Sequence, residues 1–467
     1  MSIPELELDP PVVARTRPRS LRPLVLRLHF YAGILIAPFI LIAAATGVLY
    51  AVAPQVEKVL YSDVLSVDPG DQAVSLNQQA DAAKAAYPNL AMAAMRPAAT
   101  SSESTRIFFA DPSLGEDERL AVFVNPYTAD VLGSKVEWAG ALPLSAWLDK
   151  FHANLQLGDI GSIYSELAAS WLWIVALGGL YLWLVKARKD RRRGRKGRVV
   201  GVDRSGSDRA RTLNWHGATG VWILLALVFL TATVLTWSTY AGANVTDLRA
   251  SMGWQRPQLD TSLTGSSVTR GEHAEHEAGD HVSMSMPATV DVMGVVSAAQ
   301  AVGLEAPLEL TFPTAPGEAV GVKKDAKAYR LSSDSAAVDP STLAVTSTVD
   351  YDRDYSLAAK LADWGIRGHM GTLFGFLNQL LLLAVAIGLI TVIVRGYRMW
   401  WQRRPTRGSA MAVGRAPMRG GIRQVSPVLA VALVAVTALV GWFLPVLGWS
   451  LLAFLLIDVA WSQATRP

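Results

Sequence analysis

Long apolar stretches alternate with two polar blocks along this chain, and that alternation predicts the architecture. An apolar run of about eighteen residues or more marks a helix that crosses a membrane. Such runs fall at residues 24–53, 162–186, 213–240 and 371–395, and a closing pair, 426–444 and 446–461, is split into a hairpin by Pro445. The polar blocks show shorter periods. The first opens with a helical pattern, SLNQQADAAKAAY at 75–87, followed by strand-like runs at 106–110 and 120–124. Then come the turn Asn125-Pro126-Tyr127-Thr128, a further strand ADVLG, and a short amphipathic helix at 144–155. The second block ends in a similar strand pair around Val338-Asp339-Pro340-Ser341-Thr342. Residues 1–23, rich in proline and arginine, have no packing period and predict disorder.

The apolar stretches repeat one another. Counting from His29 and from His216, Gly33 matches Gly220, Thr46 matches Thr233 and Tyr50 matches Trp237. His152 begins HANLQLG and His369 begins HMGTLFG, with further matches of Gly158 to Gly375, Gly179 to Gly396 and Trp183 to Trp400. The chain is a duplicated unit with two histidines per copy.

Charge adds an orientation. The net charge of +4 hides a strong asymmetry: twelve Lys/Arg and three acids lie between Lys186 and Arg211, and eight arginines and no acid between Arg395 and Arg423. Arg15, Arg17, Arg19, Arg22 and Arg27 precede or begin the first span. With six spans all three basic segments fall on one side, which the positive-inside bias makes the cytoplasm. Both termini are then cytoplasmic, the polar blocks face outward, and the location is the inner, cytoplasmic membrane. The basic linker reads as a retained loop rather than a nucleic-acid site, and the first apolar run is too long for a signal-peptide core. The chain has no cysteine, which excludes disulfides, thiolate metal sites and haem attached through C-x-x-C-H.

That topology sorts the histidines by depth. His29 and His216 sit a turn inside the cytoplasmic face, and His152 and His369 lie near the outer face. Each face thus has two imidazoles on different helices, the requirement for a bis-histidine haem. Gly33, Gly217, Gly220, Gly371 and Gly375 would let a flat macrocycle approach the backbone. Two other readings remain: metal binding or proton transfer by the same residues, and structural hydrogen bonding. The second polar block is also longer than the first. His273, His276, His281, Met284 and Met286 cluster there among acids, in a segment spanning 260–290. Imidazole with thioether suits copper, and imidazole with carboxylate suits iron or zinc; the competing reading is a polar loop.

The span motifs, HANLQLG, ASWLWIVALGGLYLW, RGYRMWWQRRP and the segment VNPYTADVLG together resemble the PepSY-associated transmembrane family, from about residue 24 to 405. VNPYTADVLG is similar to the D-P-x-T-G turn of a PepSY domain, with Asn125 and Ala129 as departures, and VDPSTLAVTST is a more degenerate copy. The resemblance implies haem b held by span histidines and, for some members, reduction of ferric siderophores. The expected fold is an α-helical polytopic membrane protein: a four-span duplicated haem-binding core plus a C-terminal two-span hairpin, with two extracytoplasmic α+β PepSY-like domains. Its boundaries are a tail at 1–23, spans within 24–53, 151–187, 212–241 and 364–396, polar domains at 54–150 and 242–363, basic loops at 188–211 and 397–424, and the hairpin at 425–462. The expected activity is reduction of an extracytoplasmic ferric chelate by two bis-histidine haems b, His29 with His216 and His152 with His369. No dinucleotide fingerprint is present, so a membrane quinol or a separate cytoplasmic reductase is the expected donor. A cupric reductase using the His/Met-rich insert, and a non-enzymatic membrane scaffold or sensor binding a peptide, protease or metal, are the alternatives.

Overall fold

The computed structural model of the protein describes residues 20–115, 117–194, 197–264, 290–325, 328–403, 417 and 425–464. Four helices are long and apolar enough to cross a membrane: Ala37–Leu60, Gly158–Arg192, Asp208–Leu235 and Gly375–Trp401. The shortest has 24 residues. At about 1.5 Å per residue even that one exceeds a hydrocarbon core about 30 Å thick.

In chain order the elements are α1 (Arg22–Leu35), α2 (Ala37–Leu60), α3 (Ser62–Leu65), α4 (Leu76–Ala86), β1 (Ala91–Arg96), β2 (Thr105–Ala110), β3 (Glu118–Val124) and β4 (Val131–Trp138). There follow α5 (Pro143–Asn154), α6 (Gly158–Arg192), α7 (Asp208–Leu235), α8 (Thr239–Ser251) and α9 (Val292–Ala301). The rest are β5 (Leu308–Thr311), β6 (Val320–Lys324), β7 (Ser335–Val338), β8 (Val345–Val349), α10 (Tyr351–Asp354), α11 (Leu357–His369), α12 (Gly375–Trp401), α13 (Pro427–Phe443) and α14 (Pro445–Ala464).

The chain forms two compact units. The first comprises Met1–Ala37, Ile174–Trp222 and Val392–Pro467. The single first span expected at 24–53 is two helices, α1 and α2, separated at Ile36. The cause is Pro38, which has no N–H to give the carbonyl of Ile34; the hydroxyl of Tyr397 donates to that oxygen instead, at 2.9 Å. Arg27 pairs with Asp458 of α14. Helices α13 and α14 meet at Leu444 and cross closely at Gly441 and Gly448, where a Cβ on Gly448 would lie 2.3 Å from the carbonyl oxygen of Gly441. Helix α13 has 17 residues. That gives about 25 Å, short of the four longer helices.

The second unit comprises Pro38–Trp173 and Ile223–Thr391. Its eight strands make one antiparallel sheet in the order β4-β3-β2-β1-β5-β6-β7-β8. Two separate domains were the expectation from the sequence; instead each polar block contributes four strands, joined where Ala94 and Met95 of β1 pair with Thr311 and Leu310 of β5. One face buries Met95, Ile107, Phe109, Val122, Leu310, Val322 and Ala336 under α4 and α9. Ser75 and Gln78 form a reciprocal capping box that starts α4. The two hairpin turns match: Asn125 Oδ1 accepts from the N–H of Tyr127, and Asp339 Oδ1 from that of Ser341. Ala129 and Leu343, four residues on from each, are left-handed at φ 62° and 58°. An L side chain costs about 1–2 kcal/mol in that conformation, so glycine would suit both positions better.

Candidate functional site

Each unit brings two of the four span-leading histidines together. In the first unit the rings of His29 on α1 and His216 on α7 stand 6.4 Å apart, centre to centre, at 84° to each other. Two imidazoles that share one six-coordinate iron, each bound at about 2 Å, have ring centres roughly 6 Å apart. His29 Nδ1 lies 3.0 Å from the carbonyl oxygen of Val175 on α6, and His216 Nδ1 lies 2.8 Å from that of Val392 on α12. A carbonyl can only accept, so both Nδ1 atoms carry the proton and both Nε2 atoms keep a lone pair.

Glycines seat these rings. A Cβ at Gly179 would come within 3.0 Å of His29 Cε1, and one at Gly396 within 3.7 Å of His216 Cε1. Beside Gly33 and Gly220, one turn beyond each histidine, a Cβ would meet no atom within 4 Å. The donor set, the ring spacing and this open space all fit a bis-histidine haem. The remaining glycines proposed to admit a macrocycle have other roles. Gly217 lies against Trp183, where an added Cβ would come within 2.4 Å of the ring, and Gly371 and Gly375 adopt positive φ in the turn between α11 and α12.

In the second unit His152 stands on α5 and His369 on α11. Their Nδ1 atoms meet threonine hydroxyls: Thr46 Oγ1 at 2.9 Å and Thr233 Oγ1 at 2.7 Å. Each hydroxyl has one proton. Thr46 donates it to the carbonyl of Ile42 or Ala43 in its own helix, and Thr233 to that of Phe229 or Leu230. The oxygen is therefore left as the acceptor of Nδ1–H, which again frees Nε2. Tyr50 stacks on His152 with ring centres 6.4 Å apart, and Trp237 meets His369 edge-on at 5.1 Å.

Carboxylates position the helices around this pair. Glu57 accepts from the backbone N–H and hydroxyl of Ser145 in the first turn of α5, and Glu166 accepts from the N–H groups of Tyr240 and Ala241 at the start of α8. Both bind the positive end of a helix. Asn378 donates to the carbonyl of Gly368 beside His369, and Gln379 accepts from Gln55. These polar span residues therefore serve as caps and braces.

Asp149, one turn before His152, accepts a hydrogen bond from Tyr50. Burial pushes its carboxyl up to about 6, against the pull of Lys150 and of that hydrogen bond. The unfolded value is about 4. The folded protein therefore keeps a proton that the unfolded chain releases, and this contribution is complete below about pH 4 and lost as pH rises through about 6. At about 1.4 kcal/mol per pH unit its full size is roughly 3 kcal/mol. Thermal unfolding in detergent should show this loss, and Asp149→Asn should flatten it. An unchanged slope in the variant would exclude Asp149 as its source.

Repeat matching had paired Thr46 with Thr233 and Tyr50 with Trp237 without assigning them a role. The carbonyl acceptors were missed, although Val175 and Val392 follow His152 and His369 at the same interval of 23 residues. His273, His276, His281, Met284 and Met286 lie outside the described residues. Among the described residues no group of three or more His, Asp or Glu side chains gathers to hold a metal ion.

A family model described as the PepSY-associated TM region matches residues 26–403, most of the chain. Among curated proteins none matches at a significant level.

Proposed function

Because the chain belongs to the PepSY-associated transmembrane family and is a multi-pass membrane protein, we propose that it is a haem b oxidoreductase that reduces an extracytoplasmic ferric chelate, a siderophore–iron complex. His29 and His216 hold one haem, and His152 and His369 hold the other. The observation that carries this reading is the spacing of His29 and His216, 6.4 Å between ring centres, with each Nδ1 held by a backbone carbonyl. Hydrogen bonds at Nδ1 fix the tautomer and ring orientation and raise the basicity of the ligating nitrogen. Bound there, haem b supplies one-electron transfer in an apolar surround.

The basic loops put both termini in the cytoplasm, so electrons move outward, from a membrane quinol or a separate cytoplasmic reductase. Reduction of the chelated iron to Fe(II) weakens its hold by hard oxygen donors and releases the metal. A version with Cu(II) as substrate would use His273, His276, His281, Met284 and Met286.

The purified protein, expressed with ample haem and reduced with dithionite, should show the sharp α and β bands of low-spin haem b. Pyridine haemochrome should count about two haems per chain, one for each bis-histidine set. A folded, colourless preparation would sink this reading and leave a membrane scaffold or sensor.

A further inference from the structure

The sheet has two unlike faces. One is the apolar core under α4 and α9. On the other, where Ala94, Phe108, Ala121 and Phe123 pack against Val64 and Leu142, strand registers also align Arg96 of β1, Arg106 of β2, Arg119 of β3, Lys135 of β4 and Lys323 of β6. Glu137 of β4 and Glu309 of β5 share that face. Five cations thus stand against two acids, or three with Asp325, which lies 3.8 Å from Arg96.

The cations differ in what engages them. Arg96 is bound to Glu309 at 2.8 Å, and Arg106 to Glu137 at 3.0 Å. Burial raises the Glu309 carboxyl, but Arg96 and Arg119 outweigh it and hold the group below its ordinary range. Arg119 and Lys135, both half-buried, have no carboxylate within ion-pair distance among the described residues. The Arg119 guanidinium lies 4.6 Å from the centre of the Phe108 ring, and the Lys135 ammonium 5.3 Å from that of Tyr61. Ala121 pairs with Lys135 and Arg119 with Glu137, so Arg119 and Lys135 are diagonal neighbours on one face. Their backbones are about 7 Å apart. Two half-buried cations at that spacing, each resting on an aromatic ring, match a planar aromatic anion that offers oxygens to both.

The position suits an electron acceptor. Helix α5 packs on β4; Leu142, at its N-cap, packs with Phe108 and Ala121 on this same face, and His152 lies further along that helix. We infer that the β3–β4 end of this face binds a polyanionic, catecholate-type iron(III) chelate through Arg119 and Lys135, beside the helix that carries His152. The inference rests on the proposed function for the fate of the iron, but binding can be measured without it.

The test uses the full chain in uncharged phosphatidylcholine nanodiscs. The probes are gallium(III) tris-catecholate, a polyanion that is not reduced, and the uncharged gallium(III) tris-acetohydroxamate. Calorimetry should show the anionic complex binding at least about tenfold more tightly, with the difference shrinking as salt rises. Arg119→Gln and Lys135→Gln should each weaken it about tenfold, while Arg119→Lys keeps most of the affinity and no variant changes haem content. Equal affinity for the two complexes overturns the inference, as does a doubly substituted Arg119→Gln/Lys135→Gln protein that binds the anion like the parent. Selective binding by a protein without haem supports this site and rejects the oxidoreductase reading, so the two failures are distinguishable.

Discussion

His29→Ala and His216→Ala each yield a protein that has lost the same haem and keeps the other, at about half the parental haem content. The expectation follows from the proposal that the two rings share one iron. Their centres, 6.4 Å apart, match the spacing of two imidazoles on one iron, and neither imidazole has a second partner at Nε2 among the described residues. Removing either ring leaves one axial nitrogen in an apolar site. His152→Ala and His369→Ala should remove the other haem. Combining His29→Ala with His216→Ala should cost no more haem than either change alone, whereas His29→Ala with His152→Ala should remove both. Pyridine haemochrome and reduced spectra read these outcomes directly. Four single variants with unchanged haem content would refute the ligand assignment.

Thr46→Val and Thr233→Val should weaken retention of the second haem by roughly 10–100-fold, the usual effect of losing a partner to a ligating histidine. Valine copies the threonine shape and removes only the oxygen. The Nδ1–H of His152 or His369 then has nothing to donate to, so the ring loses both its orientation and part of its basicity. A weaker axial donor stabilises ferric iron less, so the midpoint potential of that haem should rise while the other keeps its value. Thr212→Val is the matched control, because Thr212 donates only to the carbonyl of Asp208 in its own helix. Transfer of haem to an added scavenger protein, together with a redox titration, tests both effects. If the threonine variants hold haem and potential like the control, these hydroxyls do not set the imidazole tautomer.

The amino-acid pattern alone was enough for much of this. Uninterrupted apolar runs predicted the four long helices, because any helix of that length and composition needs a hydrocarbon surround. Even so, the third helix ends at Leu235 rather than near 240, where Ser238 precedes a separate helix capped by Glu166. Matched intervals marked the four histidines and the Thr46/Thr233 and Tyr50/Trp237 pairs, since duplication preserves spacing along the chain. Spacing does not say which helix a side chain faces. That His29 meets a carbonyl of α6, that Thr46 serves His152 on α5, and that Gly179 lies against an imidazole depend on how helices distant in sequence come together. The sheet makes the same point. Each polar block shows its strands, but the β1–β5 pairing joins residues more than two hundred positions apart through a few backbone hydrogen bonds. The sequence therefore determined the elements, their repeat and the candidate ligands, all of which rest on local composition and period. Tertiary structure decided the partners, the tautomers and the single sheet, because those depend on contacts between segments that no local pattern encodes.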